Sequence, residues 1–297
     1  MTAFRLFEDY FLLFLFYSFI GWIGESIYCS SGEFRRARKT DPGARFRFIN
    51  RGFLSGPLVP LYGFGGLILT LCLWPLREHL VLVFLVGVFL LDSLEFLTSY
   101  LMEKLFHARW WDYTGRFGNI QGRIDALHSL YWGLGAVLYV LFIYPPVRRL
   151  MAQLDRLPPL AKPALFGFLF GLFVFDLVRT VITTIDLVKF RSRLEKLQNA
   201  LQGLSPEDLL ETGSERLRAT SLVQDAEEVL KAGRIRARWV RRRTRHILSS
   251  YPFIRDTLAG SVRDVLSHPA PAAIRQTFDF LSMEISAFAR DDKYEML

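Results

Sequence analysis

Ionisable side chains recur at helical spacing inside runs that are otherwise apolar. Asp92, Glu95, Ser99 and Glu103 follow steps of three, four and four, which sets them on one face of a helix. Asp176, Arg179, Thr183 and Asp186 follow steps of three, four and three. Asp125 and His128 head another apolar run, with Ser129 and Trp132 after them, and Glu25 follows G-W-I-G. A charge inside a membrane is costly and points by default to function. A row of carboxylates descending from mid-bilayer is what a proton or cation path needs, and a histidine among them would shuttle protons. Structural readings stand beside these. Glu25 would pair with an arginine of the next loop, the acids of the third run would hydrogen-bond neighbouring helices, and Asp125 would cap its helix. Arg179 would be neutralised by Asp176 and Asp186 on its own helix.

Taken together, Glu25, Asp92, Glu95, Asp125, Asp176 and Asp186 face only Arg179 and His128 within the apolar runs. The expectation is an acidic vestibule, partly closed by Arg51 and Arg123 through charge-assisted pairs. Acid–base chemistry on a lipid by Asp125 with His128, or Asp92 with Glu95, has no nucleophile–base pattern behind it. The chain is therefore read as a non-enzyme without a cofactor. Cys29 and Cys72 suit neither a disulfide framework nor zinc-ligand spacing.

The elements that must carry these residues are membrane helices. The 297 residues are 51% hydrophobic and include 27 Phe, and the apolar residues are concentrated rather than dispersed. Runs 10–29, 57–74, 80–102, 124–144 and 163–188 approach or exceed the roughly 20 residues that cross a bilayer. The expected fold is all-α: a polytopic membrane helix bundle over residues 1–189 with about five spans, then a cytoplasmic helical tail over 190–297. The first run lacks a basic n-region and an A-x-A site and holds Glu25, so it reads as a retained helix.

The net charge of +8 is unevenly spread. Loop 31–55 carries Arg35, Arg36, Arg38, Lys39, Arg45, Arg47 and Arg51. The positive-inside rule puts that loop, loop 103–123 and the tail in the cytoplasm, and the N-terminus outside. The loop bearing Arg148, Arg149, Arg156 and Lys162 dissents mildly.

Between the basic loop and the second run lies N-R-G-F-L-S-G-P-L-V-P-L-Y-G-F-G-G, residues 50–66. Its glycines and prolines suit either a helix with proline in its first turn or a broken, partly unwound entry packed against protein. Tyr17, Gly21, Gly24 and Tyr28 make a small face on the first run for another helix. Trp110, Trp111 and Tyr113 fit an interfacial aromatic belt, with Asp112 between Arg109 and Arg116 as partners.

The tail has two short heptad-like seams, 190–204 and 274–288. Between them Lys231, Arg234, Arg236, Arg238, Arg241, Arg242, Arg243 and Arg245 form a basic segment. Beside a membrane it reads as a contact for anionic lipid or an acidic partner. Nucleic acid is disfavoured, because no recognised nucleic-acid fold surrounds it.

Several separated motifs carry a family resemblance. Glu25 after G-W-I-G, then Asn50, Arg51, Gly52, Gly56, Pro57, Pro60, Tyr62 and Gly63, then Trp111, Asp112 and Tyr113, then Gly122 and Arg123, stand in an order similar to the bacterial ABC-transporter permeases of CmpB type. The resemblance covers roughly residues 8–145. It implies a multi-pass protein of the bacterial inner (cell) membrane with a permease role, and assigns no catalytic residue. The 297 residues contain no G-x-x-x-x-G-K-[ST] loop, so an ABC mechanism needs a separate ATPase subunit. Few spans favour a homo-oligomer. The other reading is a membrane scaffold or sensor whose tail binds partners and whose polar stripes only assemble helices.

Overall fold

The computed structural model describes residues 3–107 and 109–202. The basic segment from Lys231 to Arg245, the second seam and the end of the first lie outside the described residues. The chain divides into two compact units, residues 1–105 with 111–180, and residues 106–110 with 181–297. In the second unit, Arg191 Nε on the described helix donates to Glu195 Oε1 at 2.8 Å.

All regular structure among the described residues is helical: α1 Ala3–Thr40, α2 Pro60–Leu73, α3 Leu80–Phe106, α4 Ala126–Leu138, α5 Tyr144–Leu154 and α6 Ala161–Gln202. Four stretches are long and apolar enough to cross a membrane: Ala3–Thr40, Leu80–Phe106, Ala126–Leu154 and Ala161–Lys189. The protein is thus an all-α, multi-pass membrane protein. The second apolar run differs from expectation. It forms only a shorter apolar helix, Pro60–Leu76, because its first residues are not helical. Pro60 opens α2 after an extended Val59, where the missing N–H and fixed φ of proline cost least.

α4 and α5 join through one wide turn at Tyr139–Ile143. Pro145 and Pro146 follow it. They leave the carbonyls four residues earlier without their usual donors, which explains the widened turn.

Residues 41–59 form an irregular strap that returns along α1. Ser18, Trp22, Ser26 and Ser30 recur every four residues on α1 and so share one face. That face receives the strap rung by rung. Ile49 N donates to Ser30 Oγ at 2.8 Å, and Arg51 N to Ser26 Oγ at 3.1 Å. Trp22 Nε1 donates to Asn50 Oδ1 at 2.6 Å, and Val59 N to Ser18 O at 3.0 Å. The three serines have no exposed surface. A short turn at Pro57 adds Leu58 N to Gly56 O at 2.8 Å. The strap thus descends alongside an apolar stretch of α1 with much of its backbone hydrogen-bonded, which is what a non-helical segment at membrane depth requires.

α2 then packs on α1 through glycine. A Cβ at Gly21 would meet the Tyr62 side chain at 2.2 Å, and one at Gly66 would meet the Tyr17 ring at 2.4 Å. At Gly63 it would meet Ser18 Oγ at 2.2 Å and the Phe14 ring at 2.6 Å. Of the small face expected on α1, Tyr17 and Gly21 make this contact, while Gly24 has open space and Tyr28 is exposed. Above it, the hydroxyls of Tyr17 and Thr70 meet Tyr139 Oη at 2.7 Å and 2.5 Å, tying α1 and α2 to the wide turn.

Gly63→Val should therefore force α2 off α1 and destabilise the fold by about 1–3 kcal/mol. Gly135→Ala, where nothing lies within 4 Å of an added Cβ, should be near neutral. Thermal unfolding of both variants in one detergent checks this; equal melting temperatures would refute the glycine-dependent contact.

Candidate functional site

The polar stripe of α3 faces the head of α4 and the loop before it. Asp92 Oδ2 accepts from Ser129 Oγ at 2.6 Å. Glu95, which is 4% exposed, accepts from Trp132 Nε1 at 2.5 Å and from Tyr113 Oη at 3.2 Å. Arg123 spans the rest of the stripe, donating to Ser99 Oγ at 3.1 Å and to Glu103 Oε2 at 2.6 Å. Its guanidinium also lies over the rings of Phe96 and Tyr100, at 5.6 Å and 5.5 Å. The four stripe residues are thus met by Ser129, Trp132, Tyr113 and Arg123, as desolvated carboxylates require.

Local backbone aims the loop side chains. Gly122 takes φ +68°, a region open to glycine without steric cost, and its carbonyl accepts from Tyr113 N at 2.8 Å. Trp111 Nε1 donates to Arg123 O at 3.0 Å. Asp125 caps α4, its Oδ1 accepting from His128 N at 2.9 Å. Its other oxygen holds His128 Nδ1 at 2.8 Å, with Arg116 at 3.5 Å. Burial opposes the charge on Asp125, but the His128 bonds and the arginine outweigh it and hold its carboxyl below the usual range. The His128 ring stacks on Tyr113 at 4.4 Å between centroids.

Burial, followed by the neighbouring charges of Glu95 and Glu25, pushes the Tyr113 phenol above its usual range. It therefore remains a protonated donor. Trp111 and Tyr113, expected as interfacial belt residues, are also tied into the site. Their polar atoms find partners within the protein, as the polar tips of partly buried Trp and Tyr usually do. Asp112 accepts from Thr114 N and Oγ1, at 2.8 Å and 2.5 Å.

Glu25 on α1 meets the same centre from the other side. Tyr62 Oη donates to its Oε2 at 2.6 Å. Arg51 Nε stands 3.9 Å from Oε1, and Cys29 Sγ donates to that oxygen at 3.6 Å. The Tyr62 and Trp132 rings touch, with centroids 5.6 Å apart. Glu25 and Glu95 are thereby electrostatic neighbours bridged by two aromatic donors.

Asp176 on α6 closes the strap. Its carboxylate accepts from Ser55 N at 3.3 Å and from Gly56 N at 2.8 Å. A Cβ at Gly56 would stand 3.1 Å from that carboxylate. Arg179 lies one turn along α6, and Asp186 falls in the second unit.

Five of the six acids expected to line a vestibule, Glu25, Asp92, Glu95, Asp125 and Asp176, lie in the first unit, each with its own donors. The reason is physical: each desolvated carboxylate recruits the nearest hydroxyl, indole, arginine or backbone N–H. Arg51 and Arg123 make the expected acidic contacts, with Glu25 and Glu103. Sequence reasoning assigned no role to Trp132 as a Glu95 donor, to Ser129, or to the serine face of α1. The signal was present in each case, as residues at helical spacing opposite an acid or an unwound segment.

Because Glu95 serves two donors, Glu95→Gln should orphan one of them and cost roughly 1–3 kcal/mol. Adding Tyr113→Phe should cost less than the sum of the single changes, because the two side chains share the bond. Thermal or denaturant unfolding of the four proteins in the cycle checks this; strict additivity would mean the pair is not coupled.

A family model described as "Putative ABC-transporter type IV" (ABC_trans_CmpB) matches residues 12–181. It spans α1, the strap, α2 to α5 and the first part of α6, including every site residue named above except Asp186. No curated protein and no solved structure matches the chain significantly. With more than half of its residues matched, the chain belongs to the ABC-transporter type IV family of CmpB type.

Proposed function

We propose that the chain is the membrane-embedded permease subunit of an ABC-type transporter. It moves a solute rather than transforming it, and a separate ATPase subunit drives it. The observation that carries this reading is the non-helical entry to the second apolar run. The apolar run at 57–74 enters as a strap and becomes helical only at Pro60. The α2 N-terminus then lies beside Glu25, Tyr62 and Glu95. Broken helices with ionisable side chains at their break are how transporters build solute or coupling-ion sites inside a membrane.

A location in the bacterial inner membrane, with the strap-bearing side and tail cytoplasmic and the N-terminus outside, belongs to the same proposal, the strap and α2 together making the fifth crossing. Its support is the basic loop 31–55. That side would also be the one an ATPase reaches. Two or more copies would supply enough helices for a translocation path.

Affinity purification from native membranes in mild detergent, followed by mass spectrometry, tests the reading. A nucleotide-binding subunit in stoichiometric amount is expected. Recovery of this chain alone, or with non-ATPase partners, would contradict the ABC assignment and favour a scaffold or sensor.

A further inference from the structure

The end of α1 and the first half of the strap carry a feature that the polar site does not use. Arg35, Arg36, Arg38 and Lys39 lie exposed on the last turns of α1, and Arg45 and Arg47 lie exposed on the strap. Against these six basic residues, stretch 33–48 holds two acids, Glu33 and Asp41. Glu33 pairs with Arg36 at 3.1 Å.

Aromatic rings alternate with the strap arginines. Phe46 and Phe48 are each half exposed and are anchored from beneath. Phe46 meets Phe34 edge-on at 5.8 Å, and Phe48 meets Trp22 at 5.7 Å. Arg38 lies over the Phe34 ring at 5.6 Å. Phe34 is five residues beyond Cys29, where the apolar run of α1 ends. At about 1.5 Å per residue it stands about 8 Å past that boundary, in the headgroup layer.

We propose that residues 34–48 form a binding surface for anionic phospholipid headgroups of the adjacent leaflet. The phosphates lie against the arginines, while Phe46 and Phe48 seat at the acyl boundary. Charge complementarity and depth favour lipid over an acidic protein. A protein-docking surface would not need half-exposed phenylalanines at the level where headgroups meet acyl chains, and interfacial aromatics beside basic residues are suited to that layer. The strap continues directly into Ile49, Asn50 and Arg51, so lipid occupancy borders the segment that holds Glu25. The inference does not depend on transport.

The test is native mass spectrometry of the purified full chain with equal amounts of phosphatidylglycerol and phosphatidylcholine. Three proteins are compared: wild type, a variant with Arg35, Arg36, Arg38, Lys39, Arg45 and Arg47 changed to Gln, and a variant with Lys231, Arg234, Arg238, Arg241, Arg242 and Arg245 changed to Gln. Wild type should retain phosphatidylglycerol preferentially. That preference should fall at least about threefold in the first variant, whatever the second does. A version with the five arginines changed to Lys should keep it, since a lipid phosphate accepts either cation. Should the six-site variant fail to fold, Arg45→Gln/Arg47→Gln gives the same comparison at smaller amplitude. An unchanged preference in the strap variants would overturn the proposal. So would equal retention of both lipids by wild type, or an acidic protein retained on this surface in place of lipid.

Discussion

The strap requires hydrogen-bond partners where water is absent, and much of the surrounding structure meets that requirement. An unwound backbone beside a membrane helix exposes N–H and C=O groups that lipid cannot satisfy. α1 answers with the Ser26 and Ser30 hydroxyls and the Ser18 carbonyl, its Trp22 indole holds the Asn50 side chain, and α6 answers with Asp176 at Ser55 and Gly56. Once the strap is seated, Pro60 starts α2 at the depth where Tyr62 reaches Glu25. The close glycine contacts of α2 with α1 then fix the position of that phenol.

The second centre follows from the same rule applied to side chains. α3 carries acids on one face, and each needs a donor in a medium that screens little. The loop before α4 is shaped to deliver them. The αL turn at Gly122 orients Tyr113 and Arg123, and Asp125 begins α4 so that His128, Ser129 and Trp132 point toward α3. The Tyr62–Trp132 contact then joins the two centres. A solute or ion entering between Glu25 and Glu95 would have to displace aromatic donors.

Much of this was legible in the residues. Four of the five apolar runs form helices long enough to span, and the second forms a shorter one. The acid stripe on α3 and the cap at Asp125 followed from helical spacing alone. The proline-rich stretch read either as a helix with proline in its first turn or as a partly unwound entry, and Pro60 does open α2 after non-helical residues. What stayed hidden were partners distant in sequence. Nothing near Asp176 points to Gly56, and nothing near Tyr62 points to Glu25. The partners of Trp111 and Tyr113 were not legible either, because composition reports an aromatic's preference, not its neighbour. The serine face of α1 was overlooked because serines are ordinary in membrane helices; its period of four mattered only once an unwound strap lay opposite.

The most direct measurement is hydrogen–deuterium exchange across residues 49–59 in the full-length protein in lipid nanodiscs. If the strap is bonded to α1 and capped by Asp176, the Ser55 and Gly56 amides should exchange far more slowly than those of the exposed turn at 41–44, and Asp176→Asn should accelerate them selectively. Exchange of 49–59 at the rate of that turn, indifferent to Asp176, would contradict a strap packed inside the bundle and the broken-helix site built on it.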